Sequence, residues 1–142
     1  MIEVRRAAGA AEIGEALDLR SRVFCGEQGL GLEADQDGLD PEALHLVAID
    51  GERLVGTCRL LFGDGVARLG RMAVEPAARG RGIGAALLDE AERESHAVGV
   101  ARIRLHAQIA ARSLYERGGF EQVGEVFLEE GIPHLSMEKA IA

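Results

Sequence analysis

Residues 43 to 74 constrain the fold more than any other stretch. They read ALHLVAID, a turn at Asp50-Gly51, RLVGTCRLLF, a turn at Gly63-Asp64-Gly65, and VARLGRMAV. Asp-Gly and Gly-Asp-Gly between apolar runs are hairpin signals, so three strands should follow one another as an antiparallel meander. Around them, IEVRR at 2–6 alternates as a first strand. From Ala11 to Phe24, Ile13, Ala16, Leu17, Val23 and Phe24 keep helical spacing, with Glu12, Glu15, Asp18 and Arg22 on the other face. GEQGLGLEADQDGLDPEA, at 26–43, has too few large apolar residues for a buried element and reads as a long loop.

After the meander, a helix from Gly82 to about Ala97 carries Ile83, Ala86, Leu87 and Ala91 inward, with Asp89 and Arg93 as an outward i,i+4 pair and Gly99 just past its end. ARIRLHA alternates as a strand, ARSLYERGG is a short helix stopped by two glycines, and FEQVGEVFL and HLSMEKA finish the chain as strands. The expected order is β-α-β-β-β-α-β-α-β-β, an α/β (α+β) arrangement.

At 142 residues and 47% hydrophobic content, the chain suits a single domain spanning 1–142. Its formal charge of −8 supplies no general field for nucleic acid or anionic lipid, so an anion must be held by a local site. The N-terminal MIEVRRAAGAAEIG has no apolar leader region, and no uninterrupted apolar stretch approaches membrane-spanning length. A cytoplasmic protein without nucleic-acid or membrane partners is expected. Cys25 and Cys58 are too few for a disulfide framework or metal knuckle, and no metal site is expected. With no coiled-coil heptads and no large exposed apolar run, the chain should be a monomer or homodimer.

The stretch RMAVEPAARGRGIGAALL, residues 71–88, carries the functional signal. Glycine lowers helix propensity, yet Gly80, Gly82 and Gly84 cluster where a helix begins. A helix start whose unpaired N–H groups a ligand can approach is an anion site, and Arg79 and Arg81 add charge there. No Gly-Lys-Ser/Thr follows, which excludes a P-loop. Gly80-x-Gly82-x-x-Ala85 fits the loose dinucleotide fingerprint, but five residues including Pro76 separate it from its strand. The next strand ends in His106-Ala107-Gln108, without the acid that holds a ribose. A glycine-rich helix start with no ligand is the remaining alternative, and the two arginines in an acidic chain weigh against it.

A strand ending in RMAV, a short loop and Arg79-x-x-Gly82-x-Gly84 at a helix start resemble the acyl-CoA-binding motif of the GNAT superfamily of N-acetyltransferases. The element order is similar too. SLYERGGFEQVGEVFLEEGIPHLSMEK and RSRVFCGEQG look like the small bacterial ElaA-like and YjcF-like branch. The resemblance implies the acyl-CoA N-acyltransferase fold, a mixed, mostly antiparallel sheet flanked by helices. It also implies that acetyl-CoA is the acyl donor, with its pyrophosphate on the amides of Arg79, Gly80, Arg81, Gly82, Ile83, Gly84 and Ala85. Strand 66–74 should splay from its parallel neighbour at 102–107, so that the pantetheine pairs with the edge at Met72, Ala73 and Val74, whose amides would form an oxyanion hole.

The resemblance further implies that Tyr115, the only tyrosine, donates a proton to the leaving thiolate; the alternative is a tyrosine packed in the core. His106 and Glu27 are candidates for the base, as are His45 and His134, and a water relay would need no single base. Gln108 stands where many relatives carry Asn. The expected reaction is acetyl transfer to the primary amine of a small molecule by direct attack. An acyl-CoA-binding sensor or assembly module, or a transferase of another acyl group or acceptor, would share the motif. Glu33, Asp35, Asp37, Asp40 and Glu42 suggest either a cationic acceptor such as a polyamine or lysine side chain, or a solvated loop.

Overall fold

The computed structural model describes residues 1–31 and 35–142, so Glu33 of the acidic loop lies outside the described residues. Seven strands, β1 (Ile2–Arg6), β2 (Leu44–Asp50), β3 (Arg53–Gly63), β4 (Val66–Val74), β5 (Arg102–Gln108), β6 (Glu121–Glu129) and β7 (Ile132–Ala140), form one sheet in the order β1-β2-β3-β4-β5-β7-β6. Every neighbouring pair is antiparallel except β4 with β5. The meander is present: Gly63 pairs with Val66 across Asp64 and Gly65, whose φ values of 54° and 74° give the doubly left-handed turn that matches strand twist.

Helix α1 (Ala10–Ser21) packs on β2, β3 and β4, whereas α2 (Ile83–Ala97) packs on β1 to β5. The alternation along β3 shows that these lie on opposite faces. Leu54 joins the small cluster with Leu19, Val23 and Ala73, and its neighbour Val55 joins the main core with Ile83, Leu87, Leu88 and Ala91. Helix α3 (Arg112–Arg117) buries Tyr115 in the same main core, and Gly118 and Gly119 follow it. Gly118 is tightly placed, since a Cβ there would meet Leu88 Cδ2 at 2.7 Å.

Two helical details differ from the sequence reading. The first helix does not stop near Phe24 but widens into a π-helical turn, Arg22–Glu27, with Gln28 N–H donating to Val23 C=O at 3.0 Å. On α2, Arg93 pairs with Glu90 at 2.7 Å rather than with Asp89. The outer strand β6 also exposes Val123, Val126 and Leu128, an apolar feature that the sequence reading did not anticipate.

The feature that shapes the molecule lies in the middle of the sheet. Thr57 pairs with Ala73 but Arg59 with Gly70, so Arg71 and Met72 together face Cys58 in a bulge, and Arg71 sits at φ 54°. The parallel ladder between β4 and β5 runs from Val66–Arg102 to Leu69–Leu105 and ends there, although both strands continue. Meanwhile β5 stays paired with β7 as far as Gln108–His134. The sheet therefore opens into a notch between residues 70–74 of β4 and 106–108 of β5.

Candidate active site

Three contiguous cavities run through this notch. The first, about 390 Å³, is lined by Met72, Ala73, Val74, Arg79, Gly80, Gly82, Ile83, Gly84 and Ala85 together with Glu27 and Arg117. Gly82 caps α2 in a left-handed conformation, φ 79°, and Gly80 has φ 81°. A Cβ on either would be strained by the backbone although no atom lies within 4 Å of it, so the glycines leave open space over a helix N-terminus. The open space lies at a helix end, where N–H groups lack intrahelical partners, and beside the free edge of β4.

The structure therefore gathers every expected cofactor-binding residue around one cavity except Arg81. That side chain turns away and pairs with Asp50 at 2.9 Å. Arg79 stays at the cavity but is engaged: its guanidinium donates to both carboxylate oxygens of Glu27, at 2.7 and 2.8 Å, and to Val74 C=O at 3.1 Å. Hydrogen bonding to Arg79 holds the Glu27 carboxyl below its ordinary range. Glu27 is thus a partner of the glycine-rich turn, set there by the π-helical turn, and it lines the first cavity. Arg117, in the last turn of α3, adds a charge here that sequence reasoning missed, because only packing brings α3 beside α2.

The second cavity, about 220 Å³, occupies the fork itself and shares Gln28, Met72 and Leu114 with the first. Tyr115 and His106 both line it, as do Gln108, Glu129 and His134. Tyr115 is 6% exposed and stacks edge-on against Phe120 at 6.0 Å. Burial, and secondarily the nearby Cys58, push its phenol well above the ordinary range, so it keeps its proton throughout the neutral pH interval. The core-packing and site descriptions are both true of this residue: it is buried and it borders the fork. Gln108 donates to Gln28 Oε1 at 2.9 Å, which ties the end of β5 to the start of the loop.

His106 lies on the outer face of β5, with Nδ1 2.9 Å from Glu129 Oε1. An ionised carboxylate only accepts, so Nδ1 carries the hydrogen and a neutral ring presents its lone pair at Nε2. His134 is held similarly. Its Nδ1 donates to Ile132 C=O at 2.6 Å, and its Nε2 lies 3.6 Å from Glu129 Oε2. Phe127 stacks on His134 and meets His106 edge-on, centroids 6.1 and 5.0 Å apart. Glu129 was not singled out in the sequence, although it opens the EEGIPH segment; its pairing with His106 spans 23 residues and depends on the β6–β7 hairpin. His45 is elsewhere, buried, with Nε2 on Asp40 C=O at 2.9 Å.

The third cavity, about 670 Å³, continues from the fork across the outer face of the sheet. It is bounded by Asp37 and Leu39 on one side and Glu129 and Glu130 on the other. Of the acidic loop beside it, Asp35, Asp37 and Asp40 are paired with arginines, while Glu42 is exposed. Asp35 is 2% exposed and lies 3.0 Å from the guanidinium of Arg20, itself 1% exposed. Asp40 pairs with Arg20 at 2.7 Å and Arg59 at 3.1 Å, and Asp37 pairs with Arg59 and Arg71.

A family model described as an acetyltransferase (GNAT) domain matches residues 22–141. Uncharacterized N-acetyltransferase YjcF of Bacillus subtilis (strain 168) is 34% identical over 129 residues, covering 90% of this chain and 92% of its own. The crystal structure of Escherichia coli ElaA superposes with a TM-score of 0.87 at 29% identity, over 98% of this chain and 99% of that one. An acyl-CoA N-acyltransferase from Pseudomonas aeruginosa superposes with a TM-score of 0.85 at 32% identity, over 99% of both chains.

Proposed function

The chain belongs to the GNAT family of acetyltransferases, and we propose that it transfers the acetyl group of acetyl-CoA directly to the primary amine of a small molecule. One observation carries the reading: the β4–β5 notch opens beside the glycine-rich start of α2, so a thioester held by both would end at the fork that Tyr115 and His106 both line. Acetyl-CoA supplies the activated acyl group. The amides of Arg79 to Ala85 hold its pyrophosphate, and the free edge at Met72 to Val74 holds the pantetheine and polarises the carbonyl oxygen.

His106 is the base we assign, in preference to Glu27. Its Nε2 takes the proton of the attacking neutral amine, Glu129 fixes the ring through Nδ1, and the C–N bond forms as the C–S bond breaks. Tyr115 gives its hydroxyl proton to the departing sulfur, and solvent returns both residues to their starting states. Tyr115→Phe keeps the ring and its packing but removes the proton. It should retain acetyl-CoA affinity and melting temperature while kcat falls about tenfold or more, the lower end for a general acid because a thiolate leaves readily. A wild-type rate removes Tyr115 from the mechanism. A wild type that binds acetyl-CoA in calorimetry but acetylates no amine supports the sensor alternative.

A further inference from the structure

The cavity on the outer face has a charge layout that the amine alone does not explain. Its floor is arginine. Arg68 of β4 stands in register with Arg104 of β5, and Arg59 and Arg71 lie on the same lining. Three of the four are ion-paired in place: Arg104 with Glu138 at 3.0 Å, a carboxylate it shares with Arg102; Arg59 with Asp37 and Asp40; and Arg71 with Asp37. Arg68 is exposed and has no ion pair among the described residues. Beside it, Gly70 leaves the floor open, since a Cβ there would meet no atom within 4 Å.

The opposite end carries the reverse sign. Glu129 and Glu130 border the cavity next to His106, and Glu130 has no ion pair among the described residues. His106 lies two residues beyond Arg104 along β5, about 6.6 Å of strand. The cavity is thus bipolar, with a guanidinium at one end and carboxylates beside the proposed base at the other. We propose that the acceptor is a small molecule carrying an anionic group, carboxylate or phosphate, several bonds away from its amine. The anion sits on Arg68, and Glu129 and Glu130 draw the amine to His106. Of the five acidic residues that suggested a polyamine, Asp35, Asp37 and Asp40 are already bound to arginines, and Arg68 repels a second ammonium. This inference rests on the acetyltransferase reading above.

The test uses pairs of amines that differ only in the anion: lysine against 1,5-diaminopentane, and phosphoethanolamine against ethanolamine, with spermidine as the polycation. CoA release is followed for the full-length protein, and acetyl-CoA binding is measured separately by calorimetry. The anionic member of at least one pair should show a kcat/KM about tenfold or more above its partner, as a charge-assisted contact gives. Which pair responds distinguishes carboxylate from phosphate. Arg68→Ala should abolish that preference through KM and leave the acetyl-CoA dissociation constant unchanged. Preference for spermidine or for the partners that lack the anion, a preference that survives Arg68→Ala, or turnover of neither pair overturns the acceptor assignment. Failure to bind acetyl-CoA overturns the acetyltransferase reading itself.

Discussion

Two sets of arginine–carboxylate pairs flank the cleft, and they differ in almost every physical respect. Arg20, Arg59, Asp35, Asp37 and Asp40 lock the acidic loop onto β3 and α1, with Arg20 and Asp35 almost wholly removed from water. Arg79–Glu27 and Arg81–Asp50, beside the glycine-rich turn, are all between a third and a half exposed. Buried pairs are costly to break because the remaining charge has no solvent, whereas exposed pairs exchange partners readily. The first set is therefore a fastening, and the second can yield Arg79 to an arriving phosphate.

The sharpest way to break the comparison is to remove one member of the buried set. Arg20→Ala leaves Asp35 without its partner and should destabilise the fold by about 3–5 kcal/mol, measured by denaturant unfolding. Arg81→Ala should leave the midpoint nearly unchanged. Equal losses would mean that burial does not separate the two sets.

Acid should have an intermediate effect. Hydrogen bonding to Arg59 holds Asp37 below its ordinary value, and at Asp40 burial raises the carboxyl but Arg20 and Arg59 outweigh it. Groups depressed on folding add stability that is complete above their unfolded value of 3.8 and is lost as pH falls through the folded values. Melting temperature should accordingly fall below about pH 4, and Asp37→Asn should flatten that fall. A wild-type acid limb in Asp37→Asn would show that the loop does not contribute.

The smallest effect is expected at Glu27. Glu27→Gln releases Arg79 without touching the fork, so kcat should stay within about threefold of wild type, a change below that of losing a general base. A hundredfold fall in kcat would restore Glu27 as the base and displace His106.

The same contrast explains what the sequence revealed. The succession of elements along the chain, the β3–β4 turn and the start of α2 were legible because each depends on neighbouring residues: Gly80 and Gly82 adopt positive φ, and Asp64-Gly65 closes a two-residue turn. Arg20 was not, since a charged residue on an amphipathic helix reads as solvent-facing until Asp35 and Asp40 arrive from 15 and 20 residues away. The pairing of Arg81 was hidden for the related reason that charge next to an anion site looks committed to it, while its side chain meets Asp50 of β2. Glu129 and Arg68 required the β6–β7 hairpin and the β4–β5 register, both set by tertiary pairing.

A strand edge with nothing beside it is ordinarily an aggregation hazard, because another chain can extend the sheet there. The notch escapes this through its shape. Only Gly70 to Val74 lie beyond the last β4–β5 pair, and Pro76 closes the run two residues later. At the narrow end the ladder is still joined at Leu69–Leu105, so an incoming polypeptide finds neither the width nor the length for a stable ladder. Its colloidal consequence is that the molecule keeps a permanently open hydrogen-bonding edge in its centre, and that this edge offers other proteins no template to polymerise on.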